Sequence, residues 1–367
     1  MKLCIATPNK FSYSETFIRN HIEKLKPEFV VNNNWWPLSV SNGEMIFKGL
    51  MGIDPIRIAI KNITPSLYQK LYTNAFYKFL VSHNIDTVLA EYGLIGANIM
   101  DACKRANCRL VVHFLGFDAF DKKTLLEYSE KYNELFQKAY SLITVSIDMR
   151  DQLIKLGAPE NKTFVISCGA DIKKFSRINE LPKDPIVIAV GRFAPKKSPQ
   201  STIKAFSKVL QKVPLAKLIM IGDGVLFEDS KKLASELNIA DSIDFKGALT
   251  PEKIIEEMHK ARIFVQHSVV APGGDSEGLP LALIEAASVG LPIVSTFHAG
   301  IPEAVKDKVT GFLVKEHDID GMANYMIELL VNDELANTMS KAARKHIEDN
   351  YDLEKQIVSL RNILISN

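Results

Sequence analysis

The sequence predicts an α/β protein built from two Rossmann-like, doubly wound domains, each around a parallel sheet, and three observations favour this fold class. The chain has 367 residues, which exceeds one ordinary core and suits two domains. Short runs rich in Val, Ile and Leu alternate with longer amphipathic segments, a rhythm typical of strand–helix–strand units. The rhythm restarts near residue 185, after a polar stretch that contains two prolines.

The same rhythm predicts the individual elements. Strands are expected at residues 2–7, 87–92, 109–116, 141–146, 185–190, 216–224, 242–247, 261–268 and 291–297. Helices are expected at residues 16–25, 96–107, 127–140 and 353–365. We therefore expect an N-terminal domain at 1–178 and a C-terminal domain at 179–352, with the final helix, 353–367, packing back on the first domain.

The composition excludes several classes of protein. Hydrophobic residues make up 47% of the chain and charged residues 24%, as in folded soluble proteins. The net charge of +2 gives no sign of a nucleic-acid partner. The four cysteines form no CxxC pair and have no His cluster nearby, so we expect reduced core thiols and no metal site. No run approaches the ~18 apolar residues of a membrane helix, and the start is unlike a signal peptide, so we expect a cytoplasmic location.

Two cations follow the first predicted strand of the second half. That strand ends at Val190, Gly191 permits a tight turn, and Arg192 and Lys197 precede a helix expected to begin at Pro199. Cations beside a helix N-terminus suit a phosphate or a carboxylate. Loops carry Arg and Lys routinely, so an ordinary surface loop is the alternative.

Two carboxylates bracket the start of an apolar helix in "SEGLPLALIEAASVGLPIVS". Glu277 stands before the helix, and Glu285 lies inside it among apolar and small residues. Pro280 suits the first helical position, so the free amides of the helix mouth could bind an anion. Glu285 would lie roughly 7–8 Å further along the axis, about the separation of a diphosphate from its ribose. The alternative is that Glu285 pairs with a core Arg or a backbone amide.

Polar residues also end the predicted strands of the first half. His113 ends one buried strand, with Asp118 close behind it, and Glu91 and Tyr92 end another. Ligands of open parallel sheets bind at these carboxyl ends. A His among apolar residues can equally be a satisfied core residue. The first loop adds candidates at the same rim, although Ser14 also suits a helix N-cap; these are Ser12, Tyr13 and Ser14.

Taken in order, these motifs resemble a family 4 retaining glycosyltransferase with the two-domain GT-B fold. The resemblance covers nearly the whole chain. It is strongest in "VGRFAPKKS", "IGDG", "DFKGAL", "EGLPLALIEAASVGLPIV" and "GIPEAVKDKVTGFLV", and the spacing Glu277-x7-Glu285 is the hallmark of the family. The first half agrees through "SETFIRNH", "HFLGFD" and "ITVSIDMRDQLIKLG".

The resemblance implies roles for the site residues. His113, near the anomeric centre, Glu277, near the transferred sugar, and the cations Arg192 and Lys197 would be catalytic. The diphosphate would meet Arg192, Lys197, Gly278, Leu279 and Pro280. Glu285 would bind the ribose hydroxyls. The base would meet Lys246, Gly247, Ala248 and Leu249. The first half would hold the acceptor, with Ser12, Tyr13, Ser14, Glu91, Tyr92 and Asp118 as candidates. The first loop lacks the glycines that many relatives have there.

The implied activity is transfer of a sugar from a nucleotide-diphosphate sugar to a hydroxyl acceptor with retention. No cofactor or metal is expected, because the cations and the helix mouth stabilise the departing diphosphate. The acceptor would be a saccharide or a lipid-linked saccharide in cell-surface polysaccharide, lipopolysaccharide or glycolipid assembly. Two alternatives stay open: a nucleotide-sugar epimerase of the same architecture, and a non-catalytic sugar- or nucleotide-binding module.

Residues 43–80 mix apolar faces with an excess of Lys and Arg. One hypothesis is that this region contacts an anionic membrane that holds the acceptor, which would place the protein on the inner face of the cytoplasmic membrane. The alternative is an ordinary amphipathic helix on the first domain.

Overall fold

The computed structural model describes residues 1–8, 15–32, 39–40, 46 and 64–365. The chain divides into two compact units. Unit 1 comprises Met1–Val145, Met149–Ile166 and Ile357–Asn367, and unit 2 comprises Ser146–Asp148 and Ser167–Gln356. Residues 167–178 therefore lie with unit 2, where Ala170 and Phe175 join its apolar core, although the sequence predicts a boundary at 178–179.

Unit 1 is a seven-stranded sheet with helices between its strands. Its strands are β1 (Leu3–Thr7), β2 (Phe29–Asn32), β3 (Ser39–Val40), β4 (Thr87–Glu91), β5 (Arg109–Phe114), β6 (Ser141–Thr144) and β7 (Thr163–Val165). Its helices are α1 (Thr16–Leu25), α2 (Pro65–Ser82), α3 (Gly93–Arg105), α4 (Phe117–Phe120), α5 (Lys122–Lys138) and α6 (Ile147–Lys155), the last of which starts in unit 2. All pairings are parallel except that of the edge strand β3 with β2, so this sheet departs from the fully parallel prediction.

Unit 2 is a six-stranded sheet with parallel pairings throughout. Its strands are β8 (Ile186–Val190), β9 (Lys217–Ile221), β10 (Ile243–Gly247), β11 (Ile263–Val265), β12 (Ile293–Thr296) and β13 (Gly311–Val314). Its helices are α7 (Pro199–Leu210), α8 (Phe227–Glu236), α9 (Pro251–Lys260), α10 (Leu281–Val289), α11 (Ile301–Ala304), α12 (Ile319–Val331) and α13 (Asp333–Asn350). The last helix, α14 (Leu353–Ile365), begins in unit 2.

The strand orders show the point in each sheet at which the chain stops adding strands on one side and begins to add them on the other. Unit 1 runs β3-β2-β1-β4-β5-β6-β7, so the chain moves outward from β1 on one side and restarts at β4 on the other. Unit 2 runs β10-β9-β8-β11-β12-β13, which places its reversal between β8 and β11. Loops diverge at such a point and leave a crevice at the carboxyl ends of the strands, where ligands of doubly wound sheets bind.

Local sequence signals set several helix ends. Asp121 and Asp318 cap α5 and α12 by accepting hydrogen bonds from the amides of Thr124 and Gly321, both at 2.8 Å. Gly290 ends α10 in the left-handed conformation, with φ of 97°. Pro280 is the N-cap of α10 with an extended ψ of 114°, so the helix begins one residue later than predicted.

The final helix closes the core of unit 1. Leu360 and Leu364 join the apolar cluster that includes Ile5 and Leu89. The Arg361 guanidinium donates to the carbonyl oxygen of Lys24 at 2.9 Å. Among the described helices, none combines the length and the apolar character needed to cross a membrane.

Gly222 brings two strand ends of unit 2 together. The residue follows β9 with φ of 132°, a conformation that side chains rarely adopt. A Cβ added there would overlap the carbonyl oxygen of Gly191, at the end of β8. The turn that begins with Gly222 and the turn that carries Arg192 are therefore in backbone contact.

We expect Gly222→Ala to destabilise unit 2 strongly, because it adds both backbone strain and a clash with backbone. The loss in free energy of unfolding should exceed about 2 kcal/mol. Gly247→Ala is the matched control: φ there is 65°, and the added methyl would meet nothing within 4 Å. Its cost should stay near 1 kcal/mol. Urea titrations would measure both values, and equal losses would show that the contact with Gly191 is unimportant.

Candidate active site

The two predicted cations lie at the reversal point of unit 2. Arg192 follows β8, and Gln266 follows β11, the strand paired with β8 in parallel register. A pocket at these strand ends is lined by residues of both strands and of the following loop, including Gly191, Arg192, Lys197 and Gln266. The structure thus brings Arg192 and Lys197 to the edge where a doubly wound sheet binds ligands.

Lys197 and Glu277 form a buried ion pair. The Nζ of Lys197 lies 2.9 Å from Oε1 of Glu277, and the two side chains are 15% and 8% exposed. Burial alone would raise the pKa of Glu277, but the charges of Lys197 and Lys196 hold it below its ordinary value. Burial lowers the pKa of Lys197, and the charge of Glu277 opposes that shift. The charges of the two residues thus neutralise each other.

Lys196, which sequence reasoning did not single out, fixes the loop before Glu277. Its side chain is buried, and its Nζ lies 2.9 Å from Oδ1 of Asp275 and 3.0 Å from the carbonyl oxygen of Ser276. Its carbonyl oxygen accepts the amide of Val269 at 2.9 Å. The adjacent lysines thus have different partners: Lys196 binds the loop, and Lys197 binds Glu277. The pair "KK" was the available signal, but neighbours in sequence do not reveal which one reaches the site.

A buried histidine also contacts this loop. Nε2 of His298 lies 2.9 Å from Oγ of Ser276 and 3.2 Å from the backbone nitrogen of Glu277. Its Nδ1 lies 2.6 Å from Oε1 of Glu316, whose Oε2 accepts the amide of Val270 at 3.0 Å. Burial would raise the pKa of Glu316, and the hydrogen bond from His298 keeps it below its ordinary value. Sequence reasoning missed both residues, which follow β12 and β13.

The mouth of α10 leaves backbone amides free. Among the described residues, no group accepts a hydrogen bond from the amides of Gly278, Leu279 and Leu281. Gly278 is also in close contact with Gly300, because a Cβ on Gly300 would overlap the Gly278 carbonyl oxygen. Free amides at the N-terminus of a helix bind anions well. Pro280 contributes shape only, since it has no N–H.

Glu285 has no polar partner among the residues that the structure describes. It lies on the second turn of α10 and keeps part of its side chain exposed. No described residue makes a hydrogen bond or an ion pair with its carboxylate, so the alternative of a satisfied core residue is wrong. Burial raises its pKa to about 7, with a small opposing effect from Lys174. A partly buried carboxylate without donors is ready to accept hydrogen bonds from a ligand.

Arg192 differs from Lys197 in its availability. Its side chain is exposed, and within the described part of the chain no carboxylate pairs with it. Its guanidinium therefore keeps all its donors for a ligand, in a fork that suits phosphate oxygens. Of the two predicted cations, Arg192 is free and Lys197 is already paired.

The predicted base-binding residues lie at one side of the same sheet edge. Lys246 pairs with Asp244 at 2.6 Å on the surface, and Ala248 is exposed. The carbonyl oxygen of Gly247 accepts the amide of Gly222 at 2.8 Å, which ties this loop to the turn after β9. Leu249 packs partly on the core.

The site of unit 1 centres on a buried carboxylate between two histidines. Glu91 has no exposed surface; its Oε1 lies 2.6 Å from Nδ1 of His21, and its Oε2 lies 3.2 Å from Nδ1 of His113. Burial would raise the pKa of Glu91, but His21 and His113 lower it to about 2. These three residues are also a group whose ligand atoms lie close enough for a metal, within 4.8 Å of one another. Hydrogen bonds already use both carboxylate oxygens.

These contacts determine what His113 can offer. Its Nε2 is buried and has no hydrogen-bond partner. Buried polar atoms without partners are rare and costly, so a ligand group is an expected partner for this nitrogen. Both carboxylate oxygens of Glu91 are already hydrogen-bonded to histidines, which corrects the expectation that Glu91 contacts an acceptor directly.

Asp118 is a structural residue rather than the acceptor contact that was predicted. It is fully buried, and its carboxylate accepts amide hydrogens from Gly93 at 2.8 Å, Leu115 at 3.1 Å and Gly116 at 2.9 Å. Such bonds order the turn after β5 and leave no exposed oxygen. Tyr92 adopts φ of 78°, and its hydroxyl donates to Glu15 at 3.0 Å. Ser12, Tyr13 and Ser14 lie outside the described residues.

The comparisons with known proteins cover the segment of the chain that carries the site of unit 2. Residues 171–346 match the family model of glycosyl transferases group 1. This segment contains every candidate residue of unit 2 and makes up just under half of the chain, so the similarity to the glycosyl transferases group 1 is carried by the second unit. The sequence comparisons support glycosyltransferase activity, and they give no support to the epimerase alternative.

Named relatives extend the similarity into the first half. WcaL of Escherichia coli, a glycosyltransferase attributed to colanic acid biosynthesis, is 29% identical over 75% of this chain and 68% of its own. The amylovoran biosynthesis glycosyltransferase AmsK of Erwinia amylovora is 29% identical over 76% of this chain and 70% of its own.

A solved structure shows the fold. Anabaena HepE, crystallised with UDP-glucose, is 18% identical, covers 100% of both chains and has a TM-score of 0.77. Sucrose-phosphate synthase of Thermosynechococcus elongatus gives 0.75. The fold is GT-B, as the sequence resemblance predicted.

The raised pKa of Glu285 makes a prediction for the ligand-free protein. Its folded-state pKa of about 7 exceeds the ordinary value of 4.5, so the stabilising contribution is complete below pH 4.5 and is lost as pH rises through 7. Glu285→Gln keeps the neutral shape at every pH. We therefore expect its melting temperature to rise relative to wild type between pH 5 and pH 8. Glu328→Gln, on the exposed face of α12, should show no such trend. A constant difference for Glu285→Gln would contradict the assigned environment.

Proposed function

We propose that the chain transfers a sugar from a nucleotide-diphosphate sugar to a hydroxyl of a saccharide or lipid-linked saccharide, with retention at the anomeric carbon and without a metal. The observation that supports this best is a set of three unused groups at the reversal point of unit 2. They are the guanidinium of Arg192, the amides at the mouth of α10, and the carboxylate of Glu285, none of which has a partner within the described ranges of the chain. The first two suit a diphosphate, and the third suits a diol.

The spacing within α10 matches one ligand. Glu285 is four residues beyond Leu281, or roughly 6 Å along the axis at ~1.5 Å per residue. An anion at the helix mouth and a diol at Glu285 can then be the diphosphate and the ribose of one nucleotide. The loop of Lys246–Leu249 would meet the base, since it is tied to the turn after β9.

The chemistry follows from where charge develops. The bond between the anomeric carbon and the diphosphate oxygen breaks, and negative charge grows on the leaving diphosphate. Arg192, Lys197 and the amides of α10 stabilise that charge, which is electrostatic catalysis by fixed donors. The acceptor oxygen bonds to the anomeric carbon on the same face, and its proton passes to the departing phosphate oxygen. In this proposal no metal is needed, because the protein supplies the positive charge.

Lys197 and Glu277 contribute by exchanging partners. The ammonium of Lys197 is held by Glu277 before the donor binds. A diphosphate within reach attracts that ammonium, which leaves the Glu277 carboxylate to face the sugar as positive charge develops at its anomeric carbon. His113 stays a proposed catalytic residue, because its buried Nε2 lacks a partner and can accept from a hydroxyl.

The nucleotide site is tested by ligand-induced stabilisation. We expect one of UDP, GDP, ADP or their sugar conjugates to stabilise the wild type, by about 2.7 kcal/mol at a hundredfold excess over Kd. Arg192→Ala should weaken binding about tenfold to a hundredfold, because a charged hydrogen bond contributes roughly 1.5–3 kcal/mol. Glu285→Gln should weaken binding of nucleotides but not of inorganic diphosphate.

Two exposed residues of unit 2 supply controls for this screen. Lys212→Ala, beyond the far end of α7, and Glu328→Gln, on α12, should bind nucleotides like the wild type. Addition of EDTA should leave the stabilisation unchanged. If no nucleotide stabilises the wild type, or if Arg192→Ala binds normally, the proposed donor site is wrong.

We also propose that α2 contacts an anionic membrane that carries the acceptor. Its exposed face combines Leu67, Leu71 and Val81 with Lys70 and Lys78, and the helix contains no acidic residue. Apolar and basic side chains on one face suit the boundary of an anionic bilayer. The part of region 43–80 that lies before residue 64 falls, apart from residue 46, outside the described residues.

Sedimentation with vesicles tests this contact. At low salt the protein should sediment with vesicles of phosphatidylglycerol and phosphatidylcholine, and less with phosphatidylcholine alone. Lys70→Glu with Lys78→Glu should abolish sedimentation, since each basic residue contributes about 1 kcal/mol. Lys204→Glu with Lys212→Glu, which makes the same charge change in unit 2, is the control. Equal sedimentation of both double variants, or none of the wild type at low salt, would rule out α2 as the contact.

A further inference from the structure

We propose that His298 and Glu316 are positioning residues that hold the backbone of Ser276 and Glu277 in the geometry needed for sugar transfer. This inference rests on the proposed function, because it assigns its purpose to the loop that presents Glu277. Neither residue offers an atom to a ligand, since their ring and carboxylate atoms are directed at protein groups.

The hydrogen bonds define the state of the His298 ring. The amide of Glu277 can only donate, so Nε2 of His298, 3.2 Å from it, must be the acceptor. The proton of the neutral ring is then on Nδ1, which donates to Oε1 of Glu316 at 2.6 Å. The hydroxyl of Ser276, 2.9 Å from Nε2, shares the same acceptor. A carboxylate beside Nδ1 thus selects the one tautomer that can hold the Glu277 amide.

Glu316 also reaches the other end of the loop. Its second oxygen accepts the amide of Val270, so a single carboxylate links both ends of the segment 270–277. Lys196 holds the middle through Asp275 and the Ser276 carbonyl. Ser276, Glu277 and His298 are all buried, which makes loss of one of these bonds costly.

This arrangement determines which amides a ligand can use. The Glu277 N–H is occupied by His298, so the donor meets the amides from Gly278 onward and the carboxylate of Glu277. Without His298, the Glu277 amide would seek another acceptor, and a diphosphate oxygen is the strongest one nearby in the proposed complex. The loop would then bind the donor in an altered position, and misplacement by about 1 Å can cost a hundredfold in rate. Loss of His298 should therefore lower the rate of sugar transfer more than the affinity for the donor.

The test compares four proteins with the donor that stabilises the wild type among UDP-glucose, UDP-N-acetylglucosamine and GDP-mannose. His298→Phe preserves bulk and removes all three hydrogen bonds of the ring. His298→Gln restores an acceptor for the Glu277 amide and a donor for Glu316. Thr310→Val is the structural control: its buried hydroxyl accepts the amide of Lys306 at 2.8 Å and has no link to the loop. Melting temperature, kcat and KM for donor consumption are measured for each.

We expect His298→Phe to lower kcat by roughly tenfold to a hundredfold, with KM for the donor changed less than threefold. His298→Gln should recover most of kcat. Thr310→Val should lower the melting temperature while kcat stays within twofold of wild type. A His298→Phe protein that melts lower but turns over normally, or a His298→Gln protein as slow as His298→Phe, would overturn the positioning role.

Failure of the proposed function gives a different result. A wild type that consumes none of the three donors, even with nucleotide bound, would reject the transfer reaction itself. An active wild type with unaffected His298 variants rejects only the positioning role. Should His298→Phe fail to fold, Glu316→Gln supplies the same test, because its amide can accept from Val270 but no longer selects the His298 tautomer electrostatically; unchanged kcat in that variant would also count against the proposal.

Discussion

The buried ion pair of Lys197 and Glu277 is the interaction on which the arrangement of the second unit's site depends. Two charges removed from water are tolerated only when each has a good partner, and removal of one leaves the other uncompensated at a cost of about 3–5 kcal/mol. The surrounding contacts serve this pair. Lys196 holds the loop before Glu277 through its ion pair with Asp275. His298 accepts a hydrogen bond from the backbone amide of Glu277. Together these contacts fix the position of the Glu277 carboxylate.

The first unit also contains a buried cluster of a carboxylate and histidines, but the positions of the two kinds of group are exchanged. There the carboxylate of Glu91 is central and the two histidines, His21 and His113, are outside it. In the second unit a histidine, His298, is central, between the carboxylate of Glu316 and the backbone at Glu277. Both arrangements fix the orientation of an imidazole by a hydrogen bond at Nδ1. They differ in what Nε2 does: His113 leaves it without a partner, whereas His298 uses it to hold the chain.

Sequence patterns predicted most of the strands and a part of the helices. The helices at 16–25 and 353–365 appear with the predicted bounds, and the strand at Ile186–Val190 ends where it was expected. Strands β2, β3, β7 and β13 were not predicted; each is two to four residues long, and β2 and β7 are partly exposed. The placement of Arg192 and Lys197 at a sheet edge followed from strand ends alone.

Side-chain partners were harder to predict, because they come from distant positions. Nothing near Glu91 in sequence indicates that His21, seventy residues earlier, makes it a buried bridge. Likewise, Asp118 resembled a ligand-binding residue until three amides were found on its carboxylate. Glu285 was the opposite case: its apolar surroundings suggested a hidden partner, and the described part of the chain supplies none. The periodicity of a sequence predicts which face of a helix or strand a residue occupies. Only the tertiary fold determines which groups contact the residue on that face.

The contact between Gly222 and Gly191 has a consequence for how such a chain could diversify. The turn after β9 cannot gain a side chain unless the end of β8 moves, and Arg192 would move with it. Substitutions that change ligand preference are therefore expected at solvent-exposed positions, such as Ala248 in the neighbouring loop. One part of the sheet edge is closed to substitution by backbone contact, while an adjacent part tolerates it. Libraries aimed at a new specificity should accordingly leave the glycines intact and sample the loop beside them.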